Sequence, residues 1–208
     1  MKIESIAQKP DRAGRYRVEL SDGKVLRLYP QTLADHGLSA GRSLTDEELK
    51  ALYQDAGAVS AKMRAVRIVA ATSVSAGDLE DRLRRKGETP DDAKAAVEWM
   101  RELDFVDDLS TAKQLVRRGL AKGYGVNRLR QMLYEKKIPK SLWEEALADL
   151  PEPDEEIDRF LEQRLSPEAD SKELKRTIDA LLRRGHLWTD IRRALTRRGQ
   201  TVEHEPEE

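Results

Sequence analysis

The sequence predicts a mainly α fold of tandem three-helix repeats, three units in all, preceded by a small N-terminal module of a β-hairpin and a helix. Three observations carry this reading. The first thirty residues hold short, partly alternating apolar runs broken by an Asp-Gly pair; from Val59 onward the apolar spacing is helical; and the chain matches itself at offsets of 50 and then 48 residues.

The N-terminal runs contain Ile3, Ile6, Tyr16, Val18, Leu20, Val25, Leu26, Leu28 and Tyr29. Asp22-Gly23 between two of them supplies positive φ at little cost, so two or three antiparallel strands are expected, ending at Pro30. QTLADHG reads as a short helical turn stopped by Gly37. Thr45 followed three residues on by Glu48 is a capping box that opens a helix through about Ala56. Gly57 and the Ala-rich segment after it suit either a hinge or a continuous helix. Met63, Val66, Ile68 and Val69 form an apolar stripe beside Arg64 and Arg67. Ser75 caps a helix carrying Leu79 and Leu83 that ends at Gly87, and Thr89-Pro90 opens another whose buried face is Ala93, Val97 and Met100.

Shifting by 50 residues sets Leu79, Leu83, Gly87, Ala93 and Val97 over Leu129, Leu133, Lys137, Trp143 and Leu147; a further 48 sets the latter four over Leu181, Gly185, Ile191 and Leu195. The helix-ending clusters RRKGETP, YEKKIPK and LRRGHLW recur at the same phase. The expected domains are residues 1–57, the hairpin-and-helix module; 58–107, 108–152 and 153–200, the three repeats; and 201–208, an acidic tail expected to be disordered. Each repeat buries too little to stand alone and requires its neighbour.

The composition excludes several function classes. There is no Cys, hence no disulfide, thiolate metal site or cysteine nucleophile, and His36, His186 and His204 share no metal-binding spacing. No phosphate-binding glycine loop, dinucleotide fingerprint or serine elbow occurs. Asp107 and Asp108 read as helix caps rather than an acid–base pair. No enzyme activity, cofactor or metal is expected. The first residues, MKIESIAQKPDR, lack an apolar leader and no apolar run is long enough to span a bilayer, so a soluble, cytoplasmic protein without a membrane partner is expected.

Net charge is −1 over 208 residues, but it is not evenly spread. Residues 111–150 carry +5, 151–170 carry −6, 171–200 carry +6 and 201–208 carry −4. A single basic pair such as Arg117-Arg118 is explained without a ligand, as a solvated helix face or an inter-repeat salt bridge. The block as a whole marks Lys113, Arg117, Arg118, Lys122, Arg128, Arg130 and Lys137 as candidate anion contacts, with Arg183, Arg184, Arg192 and Arg193 as a second set. Tyr124, in KGYGVNR, has two roles open to it: a half-buried ring closing the turn, or a platform for an unpaired base.

The hairpin followed by GLSAGRSLTDEEL, then SVSAGDLEDRLRRKG, ELDFVDDLSTAKQLV, KGYGVNRLRQMLYEKKI and LRRGHLWTDIRRAL, resembles the RecX family of modulators of the RecA recombinase. The resemblance runs from Lys2 to about Gly199. Its most specific parts are Phe105-Val106-Asp107-Asp108 with Ala112, and Tyr124-Gly125 before a basic helix. The chain departs from the family pattern at Val74-Ser75, Asp78-Leu79 and His186. The resemblance implies a non-catalytic regulator that binds the RecA filament on single-stranded DNA, modulating strand exchange and ATP turnover in DNA repair, homologous recombination and the SOS response. A monomer is expected. Two other readings stand beside it: a stand-alone helix-turn-helix-like DNA-binding protein and a protein-only helical scaffold.

Overall fold

The computed structural model describes residues 1–166 and 169–200. The tail expected at residues 201–208 lies outside the described residues. Strands β1 (Ile3–Ile6), β2 (Tyr16–Leu20) and β3 (Val25–Leu28) form an antiparallel sheet in that order. Gly23 takes a φ of 82° and Asp22 Oδ1 accepts the Lys24 N–H, closing the turn as its residue types predict. Ile3, Val18, Leu20 and Leu28 are buried on one side of the sheet with Leu44 and Leu52.

Helix α1 (Pro30–Asp35) is followed by α2 (Asp46–Ala71), whose N-terminus has both hydrogen bonds of the Thr45–Glu48 capping box. The helix expected to end near Ala56 continues for about four more turns. The expected division between residues 57 and 58 therefore falls inside a helix. The physical reason is that α2 serves two cores. Leu49, Leu52 and Ala56 pack with the sheet, whereas Ala61, Ala65, Ile68 and Val69 join α3 (Ala76–Arg85) and α4 (Pro90–Glu102) in a three-helix core around Leu79, Leu83, Val97 and Met100. Gly57 stays helical and leaves room for the Asp92 carboxylate of α4 where a β-carbon would collide.

The chain divides into two compact units, Met1–Val106 and Asp107–Glu208. The second contains α5 (Asp108–Leu120), α6 (Val126–Glu135), a 3-10 turn at Lys140–Leu142 running into α7 (Trp143–Ala146), then α8 (Asp154–Arg164), α9 (Ser171–Arg183) and α10 (Trp188–Arg197). One core gathers around Ala112, Val116, Leu129 and Leu133, the other around Ile157, Leu161, Leu181, Ile191 and Leu195. Helix α7 has four residues where its counterpart α4 has thirteen. Pro151 and Pro153 bar helical continuation in the stretch that follows. The Trp143 indole N–H donates to the Ile138 carbonyl at 3.0 Å and closes the unit instead.

The repeat is visible in hydrogen bonds. The second helix of each three-helix unit ends in the same Schellman turn, with Glu88, Ile138 and His186 N–H donating to the carbonyls of Leu83, Leu133 and Leu181, and Gly87, Lys137 and Gly185 N–H to those of Arg84, Tyr134 and Leu182. The residue at the left-handed position has φ of 92° in Gly87, 54° in Lys137 and 86° in Gly185. Sequence offsets of 50 and 48 thus superpose one backbone feature three times.

Two of the three-helix units meet through backbone. Helix α6 starts at Gly125 without a side-chain cap. Its free amides find acceptors at the end of α9, with Gly125 N–H donating to the Arg184 carbonyl at 2.9 Å and Asn127 N–H to the Gly185 carbonyl at 3.0 Å. The positive end of one helix dipole therefore meets the negative end of another, and each satisfies the other's unpaired groups. Side chains are excluded from this seam: a β-carbon on Gly125 would overlap the Gly185 carbonyl, and one on Gly185 would overlap the Arg128 amide.

These geometries order three substitutions by stability. Lys137→Gly should stabilise by about 1 kcal/mol by removing left-handed strain. Gly87→Ala, with nothing within 4 Å of the new methyl, should cost about 1–2 kcal/mol. Gly185→Ala adds a backbone collision and should cost on the order of 3 kcal/mol or more. Denaturant melts that gave Gly185→Ala and Gly87→Ala equal losses would refute the seam.

Candidate functional site

The basic block of the second unit is built on amphipathic helices whose inward faces are set by the core. In α5, Ala112 and Val116 point inward, which leaves Arg117 and Arg118 exposed in the last turn, where cations suit the helix dipole. Lys122 is exposed in the following turn. On α6, burial of Leu129 and Leu133 turns Arg130 outward; Arg183 is exposed at the end of α9 and Arg192 on α10. Among the described residues none of these six cations has an ion-pair partner.

The other candidates are engaged internally. Lys113 pairs with Glu145 at 3.0 Å, Arg128 with Glu135 at 3.6 Å, and Arg193 with Asp190 at 3.1 Å and Asp154 at 3.4 Å. Arg184 belongs to the seam: its guanidinium donates to the Lys122 carbonyl at 3.1 Å and lies 4.7 Å from the Phe160 ring centre. Lys137, though exposed, occupies the strained turn position. The alternation of −6 and +6 along the chain also has a structural explanation. Arg197 pairs with Asp154 and Asp158, and Arg198 with Glu162, so the acidic α8 and basic α10 face each other with Arg193 in one ladder. These pairs are exposed, and each contributes little to stability.

The Tyr124 ring is half-buried against the α5–α6 core, and Arg128 lies 5.9 Å from its centre. The exposed aromatic of this block is Tyr134, 69% accessible on α6, one turn beyond Arg130. Sequence reasoning passed over it. The signal was present, because inward Leu129 and Leu133 fix outward 130 and 134 by helical period alone. Asp107 accepts from Leu109 and Ser110 N–H as a cap, the role its position predicted.

Beside the seam, a cleft of about 320 Å³ is bordered by Tyr124, Leu150, Pro151, Glu156, His186 and Asp190. His186 is buried. Its Nε2 lies 3.2 Å from the Gly123 carbonyl, which only accepts, so Nε2 carries the proton and Nδ1 is bare; Nδ1 has no hydrogen-bond partner among the described residues. Burial holds the imidazole below its usual pKa against the opposing pull of the Gly123 carbonyl, Glu156 and Asp190.

The family described as RecX, second three-helix domain, matches residues 107–147, which covers α5, α6 and α7. Regulatory protein RecX of Vibrio parahaemolyticus is 30% identical over 155 residues, spanning 70% of this chain and 97% of that protein. The chain belongs to the RecX family. RecX of Clostridium acetobutylicum is 25% identical over 199 residues and covers 91% of both chains. A crystal structure of regulatory protein RecX has a TM-score of 0.65 at 20% identity over 91% of this chain and 96% of that one, and RecX from Lactobacillus salivarius has 0.62 at 17% over 69% and 97%. At such identities the structures share the RecX fold. Among the described residues no helix is long and apolar enough to cross a membrane.

The His186 geometry predicts a pH effect on stability. Because the folded pKa lies below the ordinary 6.5, the unfolded chain takes up the proton first. Stability is then full above about pH 6.5 and falls as pH drops below it. Between about pH 7.5 and about pH 5.5, the wild type should lose more melting temperature than His186→Phe, which keeps a ring but does not titrate. Equal losses would show that His186 has the same pKa in both states.

Proposed function

We propose that this chain is a non-catalytic regulator that binds the RecA–single-stranded DNA filament and lowers its ATP turnover and strand exchange. Membership of a family whose relatives are named regulatory proteins supports the class of function. The observation that carries the site is the division among the basic side chains of the second unit. Arg117, Arg118, Lys122, Arg130, Arg183 and Arg192 are exposed without ion pairs among the described residues, while Lys113, Arg128, Arg184 and Arg193 are held by internal partners. Unpaired cations release counterions when they meet phosphate, and paired ones must first give up a partner. The anionic partner is the DNA strand within the filament. Tyr134, exposed beside Arg130, adds a ring on which an unpaired base stacks, worth about 1–3 kcal/mol. The protein acts in the cytoplasm as a monomer on RecA.

The test is RecA's ATPase rate on single-stranded DNA with and without this protein. Substoichiometric protein should slow turnover, and no effect at equimolar protein would sink the proposal. Replacing Arg117 and Arg130 by Glu should weaken filament binding and flatten its salt dependence by about one unit of slope per charge. The same changes at Lys113 and Arg193 should do less. Equal losses would mean that ion pairing does not sort the contacts.

A further inference from the structure

The first unit has a cationic cleft that charge counting along the chain could not reveal, since residues 1–57 are neutral overall and 58–110 carry −2. A cleft of about 470 Å³ opens between the turn before β2, the second half of α2 and the end of α3. Arg15, Arg64, Arg67, Arg82 and Lys86 line it over an apolar floor that includes Ile68, and its lining contains no carboxylate. These cations come from three separate stretches of sequence.

Four guanidiniums are held from behind. The Nε of Arg15 donates to Asp11 at 3.1 Å, that of Arg64 pairs with Glu88 at 2.9 Å, that of Arg67 donates to the Met63 carbonyl at 3.1 Å and that of Arg82 to Asp78 at 3.1 Å. A second nitrogen of each is also held: Arg15 Nη2 by Asp11, Arg64 Nη1 by the Lys86 carbonyl, Arg67 Nη2 by the Tyr29 hydroxyl and Arg82 Nη2 by Asp78. One terminal nitrogen on each therefore has no acceptor among the described residues. Arg67 and Lys86 also have no carboxylate partner among them.

The spacing of the remaining donors decides what such a cleft receives. A carboxylate pairs best with arginine through two parallel bonds to a free fork. Here the Nε of all four is engaged, and the Nη donors that remain, with the Lys86 amine, come from three stretches of chain and are spread over the cleft rather than gathered on one fork. Donors spread in this way fit charge distributed over many oxygens at intervals, as in a polynucleotide backbone. We propose that the cleft of the first unit binds the phosphodiester backbone of a nucleic-acid strand. Its residues are other than the exposed cations of the second unit, and it does not depend on the recombinase.

Lys86 reports on the site because its amine is exposed and unpaired among the described residues. The full chain would be treated with an amine-acetylating reagent, alone, with oligothymidylate, and with polyglutamate of equal charge, and each lysine read by mass spectrometry. Oligothymidylate should lower Lys86 acetylation by about threefold or more at low salt while Lys50, on the first half of α2, is unchanged. Arg67→Gln, checked for folding by its melting curve, should remove most of that protection. Absence of protection by oligothymidylate, equal protection by polyglutamate, or full protection in Arg67→Gln would each overturn the proposal. With no RecA in the assay, failure here leaves the filament reading standing, and a failed ATPase test leaves this cleft standing.

Discussion

Helix ends are the constraint on which the second unit rests. Every α-helix leaves amides unpaired at its start and carbonyls at its end, and burying them unpaired costs about 1–3 kcal/mol each. Helix α6 has no side-chain cap, and α9 ends beside it with carbonyls to offer. The two hydrogen bonds between them join the three-helix units through main chain, so the contact tolerates no β-carbon at Gly125 or Gly185. Everything local to the seam follows from that approach: Arg184 reaches the Lys122 carbonyl, His186 is buried against Gly123, and Gly123 and Gly125 are buried with the Tyr124 ring against the core while Lys122 and Asn127 stay exposed.

The same economy of surface explains the charges. With few large apolar residues, the units bury thin cores and leave long polar faces, where charged residues either pair or face water. Helices α8 and α10 pair theirs in a ladder, while the ends of α5 and α9 and the outer face of α6 do not. Pairing therefore separates side chains of equal charge that composition alone cannot tell apart. In the cleft of the first unit, pairing and open donors occur on the same side chains. Arg15, Arg64 and Arg82 are paired with carboxylates and Arg67 is held by a carbonyl and a hydroxyl, and each keeps N–H groups that have no acceptor among the described residues.

Much of the architecture was legible along the chain. Thr45 with Glu48, Ser75, Thr89 with Pro90, and Asp107 each cap the helix they were expected to cap, because a capping bond spans three residues and needs no distant partner. The repeat was legible through Leu83, Leu133 and Leu181, whose carbonyls accept the same turn bond in each unit. The full length of α2 was not. A glycine followed by alanines leaves helix and hinge close in local energy, and the outcome came from packing against α4.

The candidate site was legible as composition and not as geometry. Lys113 and Arg117 are one helical turn apart and carry the same charge, yet Glu145, 32 residues from Lys113, engages the first and leaves the second exposed. Tyr124 and Tyr134 are both aromatics in one basic stretch, and the seam draws the first inward while α6 turns the second out. Capping, turn chirality and helical period are short-range properties and can be read from neighbouring residues. Which cations stay unpaired, which ring is exposed and which arginines converge on one cleft depend on contacts between distant segments, and those exist only once the helices have packed.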